Sequence, residues 1–321
     1  MGDGTERIER RLKLHDLRVL MSVVERGSMA KAAESLATSQ PAISRAITDL
    51  EYSLGVRLLD RGPHGVVPTP YGRALIKRGI AIFDELKQSV QDIEFLADPT
   101  AGEVRIAAAI GWAAGFIATV IDRLARRYPR VVCQLTAADP PTTTLALEQR
   151  DVDLVVQRVV TPLAEDHLQA EVLFADPVFV IAAIENPWAR RRRVTLADLM
   201  NEPWALPPPG DIAREWVTDA FAAAELELPR ASMVTTTGVA RIALVAKGRF
   251  LAIASETVLR FGDWERAIKV LPIDLATKAG AVGIITLKNR TLTPVAQLFI
   301  DCAREVAKPL AMPRRRQVQK A

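Results

Sequence analysis

Between Ser39 and Leu54 the apolar side chains Ile43, Ile47, Leu50 and Leu54 fall four, three and four residues apart. That spacing predicts a single helix with one stripe to bury. The remaining surface carries Ser39, Gln40, Ala42, Ser44, Arg45, Thr48, Asp49 and Tyr52. Ser39 (or Thr38) is placed to cap the helix, and Pro41 fits its first turn, where no intrahelical N–H bond is needed. A helix this short is marginal alone, so its stripe must find cover. The preceding residues supply it. Leu14, Leu17, Leu20, Met21 and Val24 predict a helix over 14–26 that stops at Gly27. Ser28 then caps a short second helix, whose inner face reads as Ala30, Ala33 and Leu36, with small alanines permitting close approach.

The second and third helices are joined by a turn at 37–40, the spacing of a helix-turn-helix. The third would present Ser, Gln, Thr and Arg from its leading turns. Gln and Arg can make two-pronged hydrogen bonds to base edges, and Ser hydroxyls and helix N-termini suit phosphate oxygens. A small three-helix bundle with a polar outer face satisfies the same pattern. Net charge does not separate the two readings: from His15 to Gly79 there are nine Lys/Arg against six Asp/Glu. The residues just past the third helix do separate them. Gly55 ends the helix, 56–61 reads as a strand, 62–65 as a turn and 66–69 as a returning strand. This β-hairpin would carry Arg61 and His64 at its tip, suited to backbone or minor-groove contact.

The segment Leu14 to Gly72 resembles the DNA-binding region of LysR-type transcriptional regulators. The resemblance is carried by Gly27-Ser28-Met29, Ala32-Ala33, Ser39-Gln40-Pro41-Ala42-Ile43-Ser44, Leu50-Glu51 and Leu54-Gly55-Val56-Arg57-Leu58-Leu59, closing with Arg61 and Thr69-Pro70-Tyr71-Gly72. Leu59 stands where the family often has Phe, and Ala46 where it often has a polar residue. The resemblance implies a winged helix-turn-helix over 1–69. It implies contacts to double-stranded promoter DNA from Ser28, Ser39, Gln40, Pro41, Ala42, Ser44, Arg45, Thr48, Arg61 and His64.

Thr69 and Pro70 open a long helix over 70–98. Its apolar residues Ile76, Gly79, Phe83, Leu86, Val90, Ile93 and Ala97 alternate three and four apart, the seam of a coiled coil. The helix would extend about 42 Å. Packing on its own chain would explain the seam. Its place between two domains favours an intermolecular role for Ile76, Phe83, Leu86, Val90 and Ile93, and a dimer suits a two-fold symmetric site. The stretch 98–102 breaks the helix and connects to a region of different texture.

From Glu103 onward strands and helices alternate, which implies parallel α/β structure. Strands are expected at 104–110, 131–137 and 152–156, with helices at 116–128 and 142–149 between them. A second unit comes next: an apolar strand-like run 173–183, a helix at 214–224, a strand at 232–236, a helix at 239–247 and a strand at 251–254. The order is consistent with two α/β lobes crossed near 161–163 and 267–271, lobe I about 103–161 plus 271–306 and lobe II about 163–267. This resembles the effector domain of the same family, a two-lobed fold shared with periplasmic solute-binding proteins, here over 99–312 with a basic tail at 313–321.

The family places its effector between the lobes. By position that singles out Trp112, Thr142, Gln157, Arg158, Pro209 and Thr237. Each has a structural alternative: Trp112 as a core side chain, Thr142 and Thr237 as helix caps, Arg158 in an ion pair with Asp153 or Glu148. Together they suit a small anionic or hydroxylated metabolite, such as a sugar or an aromatic acid. RNA polymerase and a second copy of the chain, in a homodimer or homotetramer, are the other partners expected.

Other classes find little support. The histidines are His15, His64 and His167, without metal-ligand spacing, and neither a phosphate-binding nor a dinucleotide-binding glycine motif is present. Asp151 and Asp153 read as turn and strand-start residues. An enzyme, a cofactor and a metal are therefore not expected. Cys133 and Cys302 are far apart, against a disulfide framework, and the charged start 1–11 is not a secretory signal. The longest uncharged stretch, Ile106 to Ile121, falls short of the ~20 residues of a membrane span. A cytoplasmic protein is expected, rather than an exported solute-binding one. The arginine runs 190–193 and 314–316 lie outside the DNA-binding segment and read as solvated surface.

Overall fold

The computed structural model describes residues 12–62, 65–159, 163, 165–262, 264, 266–275 and 280–311. His64, the N-terminal residues 1–11 and the arginines 314–316 lie outside them. The chain divides into two compact units, Met1–Val90 and Gln91–Ala321.

The first unit opens with α1 (Leu14–Arg26), α2 (Met29–Ser35) and α3 (Gln40–Leu54). Gly27 and Gly55 both take the left-handed conformation that closes a helix, at φ 65° and 70°. Leu17, Leu20 and Val23 of α1 meet Ile43, Ile47 and Leu50 of α3, all at most 2% exposed. The inner face of α2 is offset by one residue from the sequence reading. The helix starts at Met29, so Met29, Ala32 and Ala33 share the buried i, i+3, i+4 face and Ala30 is exposed. Strands β1 (Leu59–Gly62) and β2 (Gly65–Pro68) pair antiparallel as the wing.

The wing is tied to the helices through backbone and one carboxylate. Glu51 Oε1 accepts from the Leu58 and Leu59 amides at 2.7 and 3.2 Å. Val66 N donates to Gly27 O at 3.1 Å. A β-carbon on Gly72 would run into the Leu58 carbonyl, so only glycine fits where α4 (Pro70–Ala97) leaves the wing.

Helix α4 divides its own seam. The early part packs inside its unit: Ile76 borders the core, Gly79 lies against Leu17 and Met21, and the Phe83 ring lies 4.4 Å from the Arg18 guanidinium carbon. Packing on its own chain therefore accounts for Ile76, Gly79 and Phe83. Leu86, Val90 and Ile93 are exposed.

The second unit contains two sheets and a smaller strand pair. The first sheet runs β4-β3-β5-β12-β6, from β3 (Ala101–Ala109), β4 (Arg130–Ala138), β5 (Leu154–Val159), β6 (Leu168–Asp176) and β12 (Gly280–Leu287). β3 pairs parallel with β4 and β5, and β12 antiparallel with β5 and β6. A helical run begins with Ile110–Trp112, passes through a π turn at Ala113–Ile117 and continues as α5 (Ala118–Arg127). With α10 (Pro294–Ala311) it covers one face, burying Phe116, Val120, Leu124 and Phe299. α6 (Pro140–Glu148) adds Leu147 to a second cluster with Val155 and Ile285.

The second sheet runs β10-β7-β11, from β7 (Val178–Ala183), β10 (Ala252–Ser255) and β11 (Ile268–Val270). Beside it β8 (Trp204–Leu206) pairs parallel with β9 (Ala231–Val234). α7 (Ile212–Ala223) packs Val217 and Phe221 on Trp204, whose ring meets Phe221 edge-on at 5.4 Å. α8 (Gly238–Val245) and α9 (Glu256–Phe261) complete this lobe.

The expected run 173–183 is in fact two strands in two sheets. β6 belongs to the first sheet, Pro177 interrupts, and β7 starts the second. The first passage between lobes therefore falls at Asp176–Pro177 and not near 161–163. The run is apolar throughout, which concealed the change of sheet. Proline supplies no ladder donor, which is why the pairing stops there. The return lies between β11 and β12, so β12 and α10 close the first lobe as elements that the periodicity did not resolve.

Candidate nucleic-acid and effector sites

On α3 the buried stripe forces the other residues outward. Ser39, Gln40, Pro41, Ala42, Arg45 and Thr48 are exposed, and Ser44 is half-buried. Ser39 Oγ caps the helix, accepting from Ala42 N at 3.4 Å. The Thr48 hydroxyl donates to Ser44 O at 2.9 Å and keeps its lone pairs outward. Gln40 and Arg45 make no side-chain hydrogen bond among the described residues, so the full donor and acceptor set of the one and the fork of the other are free. Ser28 sits half-buried at the head of α2 without a capping bond. Arg61 is exposed on β1. Asp49 and Tyr52 share the exposed surface of α3, Tyr52 at 80%.

In the second unit β3, β4 and β5 run parallel, so their carboxyl ends share one edge, where open α/β sheets receive ligands. There the structure builds a polar network around Asp176, which is fully buried. Its Oδ2 accepts from the Trp112 indole at 3.0 Å, and its Oδ1 accepts from the Thr257 amide and hydroxyl at 2.9 and 2.8 Å. Trp112 belongs to the first lobe and Thr257 to α9 of the second, so one carboxylate at the crossover holds both. Neighbouring packing agrees: Gly115 and Phe116 lie against Phe261 of α9.

Arg158 reaches the same place. Its Nη2 donates to the Asp176 carbonyl at 3.2 Å, and its guanidinium carbon stands 4.3 Å from the centre of the Trp216 ring on α7. Burial pulls this guanidinium below its ordinary pKa, against the opposing pull of the Asp176 charge. The ion pair that the sequence allowed with Asp153 or Glu148 does not form. Asp153 binds Arg105 and Arg290, each at 2.7 Å, and Glu148 faces His167 at 2.8 Å. Gln157 is buried, its Oε1 accepting from Thr143 at 2.8 Å.

Of the six residues singled out by sequence, Trp112, Gln157 and Arg158 come together around the crossover, with Trp112 mostly core. Thr142 is exposed, and its neighbour Thr143 takes the inward position. Pro209 and Thr237 are also exposed, and Thr237 heads α8 without a capping bond. Asp176, Thr143, Trp216 and Thr257 were not anticipated. Only the Asp-Pro pair closing an apolar run signalled any of them. A second buried guanidinium, Arg241, donates to Thr235 O at 2.8 Å; burial lowers its pKa and Asp211 opposes the shift.

Cys133 and Cys302 are free thiols. Burial pushes Cys133 up to about 11, the Cys302 charge adding to it. Among the described residues no group of three or more His, Cys, Asp or Glu could hold a metal ion, and no helix is long and apolar enough to cross a membrane.

Comparison with known proteins assigns both units. The bacterial regulatory helix-turn-helix family of lysR type matches residues 14–73, and the LysR substrate binding domain matches residues 97–308. The chain is 30% identical over 296 residues to the transcriptional dual regulator GltC of Bacillus subtilis, covering 90% of this chain and 96% of that one. In fold it is similar to full-length OxyR from Pseudomonas aeruginosa, with a TM-score of 0.68 at 18% identity, covering 93% and 97% of the two chains. It is also similar to the full-length LysR regulator CbnR solved with its target DNA, with a TM-score of 0.53 at 22% identity, covering 92% and 100%. The chain belongs to the LysR family of transcriptional regulators, with the family's helix-turn-helix and substrate-binding domains in that order.

Proposed function

We propose that α3 and the wing read double-stranded promoter DNA, and that a small molecule held at the crossover between the two α/β lobes sets how they do so. The observation that carries the DNA half is the exposed, unengaged pair Gln40 and Arg45 on a helix whose other face is locked into a three-helix core. A helix anchored in this way can insert its leading turns into a major groove, with Ser28, Ser39, Pro41, Ala42, Ser44 and Thr48 beside the duplex and Arg61 on its backbone. His64 is proposed with Arg61 from sequence alone.

In this reading the chain is organised as a DNA-binding domain over 1–69, a linker helix over 70–98, an effector domain over 99–312 and a basic tail. Leu86, Val90 and Ile93 supply an exposed apolar seam for a second copy, giving a homodimer or homotetramer on a two-fold site. The effector is a sugar or an aromatic acid contacting Gln157 and Arg158, with Trp112, Thr142, Pro209 and Thr237 as further contacts. By its differential affinity for two lobe arrangements it would shift the subunits, change the spacing of the wings, and alter recruitment of RNA polymerase in the cytoplasm. Titration of DNA from upstream of the adjacent operon with the full-length protein tests this in gel shift and footprinting. A specific, salt-sensitive complex whose footprint changes with a metabolite is expected. Indifference to duplex DNA at low ionic strength would overturn it.

A further inference from the structure

Arg158 is the side chain at the crossover whose bonding is least complete. A guanidinium has five N–H donors and no acceptor. Here Nη2 has the Asp176 carbonyl, while Nε is sealed from solvent and has no partner. A buried donor without an acceptor is costly, and more so on a charged group. The position is nevertheless built to hold it: a β-carbon on Gly280 of β12 would occupy the space of the guanidinium itself.

The surrounding groups decide what chemistry is missing. Both oxygens of Asp176 are engaged by Trp112 and Thr257, and Gln157 Oε1 is engaged by Thr143. A sugar hydroxyl bound there would seek an acceptor as well as a donor, and these acceptors are taken. A carboxylate needs donors alone, and a planar guanidinium matches its geometry. The other face of Arg158 rests on Trp216, an indole from the opposite lobe, so whatever engages the guanidinium acts on a contact between lobes.

We infer that the effector carries a carboxylate, and that it is received by Arg158, whose guanidinium stacks across the lobes on Trp216 while its Nε lacks an acceptor. This rests on the proposed effector role of the crossover and narrows the ligand to an acid. Binding transfers part of the guanidinium's interaction from the indole to the carboxylate, so the stack reports occupancy and its loss loosens the lobe contact.

The test uses the full-length protein and acetate, the minimal carboxylate, against its neutral isostere acetamide and against sodium chloride at equal ionic strength. Tryptophan emission is followed in the wild type, Trp216→Phe, Arg158→Lys and Arg158→Met. Expected is a saturable change with acetate that acetamide and chloride do not give, carried by Trp216 and so absent in Trp216→Phe. Arg158→Met should weaken acetate binding at least about tenfold, and Arg158→Lys by less, since the charge stays and the fork is lost. Equal responses to acetate and acetamide, no response to either, or a full acetate response in Arg158→Met would overturn the inference. The wild-type comparison needs no variant and so stands if a substitution disturbs folding. Duplex binding is measured alongside. If DNA binds and its footprint responds to galactose independently of Arg158, the regulator reading stands and the carboxylate falls. If acetate behaves as expected but duplex DNA is ignored, the reverse holds.

Discussion

The recognition helix and the lobe crossover are both assembled from polar side chains, yet they use them in opposite ways. On α3, Gln40 and Arg45 are exposed and bonded to no described residue, so their chemistry is available to whatever approaches. At the crossover, Asp176, Trp112, Thr257, Thr143 and Gln157 are buried and bonded to one another, leaving Arg158 with the incomplete set. The first arrangement separates function from stability, because the apolar stripe alone holds the helix. The second merges them, because the groups that shape the cleft also join the lobes. Substitutions in the two regions should therefore fail in different assays.

Asp176→Ala should show the largest effect. It strands the Trp112 indole N–H and two donors of Thr257 in a buried site, each without an acceptor. A loss of about 3–5 kcal/mol of stability is expected, read as a lower urea midpoint of the second unit. A change below about 0.5 kcal/mol, the usual range of surface substitutions, would show that the network is not what holds the lobes.

Gln40→Ala is the counterpart on the exposed side. Its urea midpoint should stay at the wild-type value, since the side chain has no protein partner. Discrimination between the preferred site and altered sites should fall by about 1–3 kcal/mol, if the amide reads a base edge. Competition gel shifts with single-base variants measure it. Loss of stability with unchanged discrimination would erase the contrast between the two regions.

Glu51→Ala probes a residue that belongs to neither class. Half-buried at the inner side of α3, it fixes the wing by accepting two backbone amides. About 1–2 kcal/mol should be lost from the first unit, with a parallel loss of DNA affinity because the wing is no longer held against the helix. Affinity that persists at full strength would mean that the wing's position is set by its apolar contacts alone.

The same distinction explains what could be read from the sequence. The helix boundaries of α1, α3 and α4 rest on local signals: glycine stops, a serine cap, a proline in the first turn and apolar residues at helical spacing. The polar ridge of α3 comes from the same periodicity, since a residue off the stripe is outward by geometry. The crossover had no such local signature. Trp112 and Asp176 are 64 residues apart, and Asp176 and Thr257 are 81. Their meeting depends on how two sheets are threaded. Thr142 was chosen over Thr143 because the turn of α6 that faces Gln157 is not marked by apolar spacing. The strand change at Pro177 was hidden because both sheets bury their strands. The family resemblance recovered the two-lobed plan that periodicity alone would have left as an unordered set of strands and helices.

The smallest effect is expected from Arg61→Ala, and it asks whether the wing belongs with the reading surface or only with the anchoring one. Arg61 is exposed on β1, next to the turn, with its guanidinium clear of the core. A cation held there by a short hairpin reaches phosphates, which are the same at every site. Removing it should weaken specific and non-specific complexes alike and lower the slope of log affinity against log salt by about one, the signature of one lost phosphate contact. The stability of the first unit should not change. A selective loss at the preferred site would move Arg61 into the minor groove and make the wing a second reader, so that base recognition would no longer reside in α3 alone.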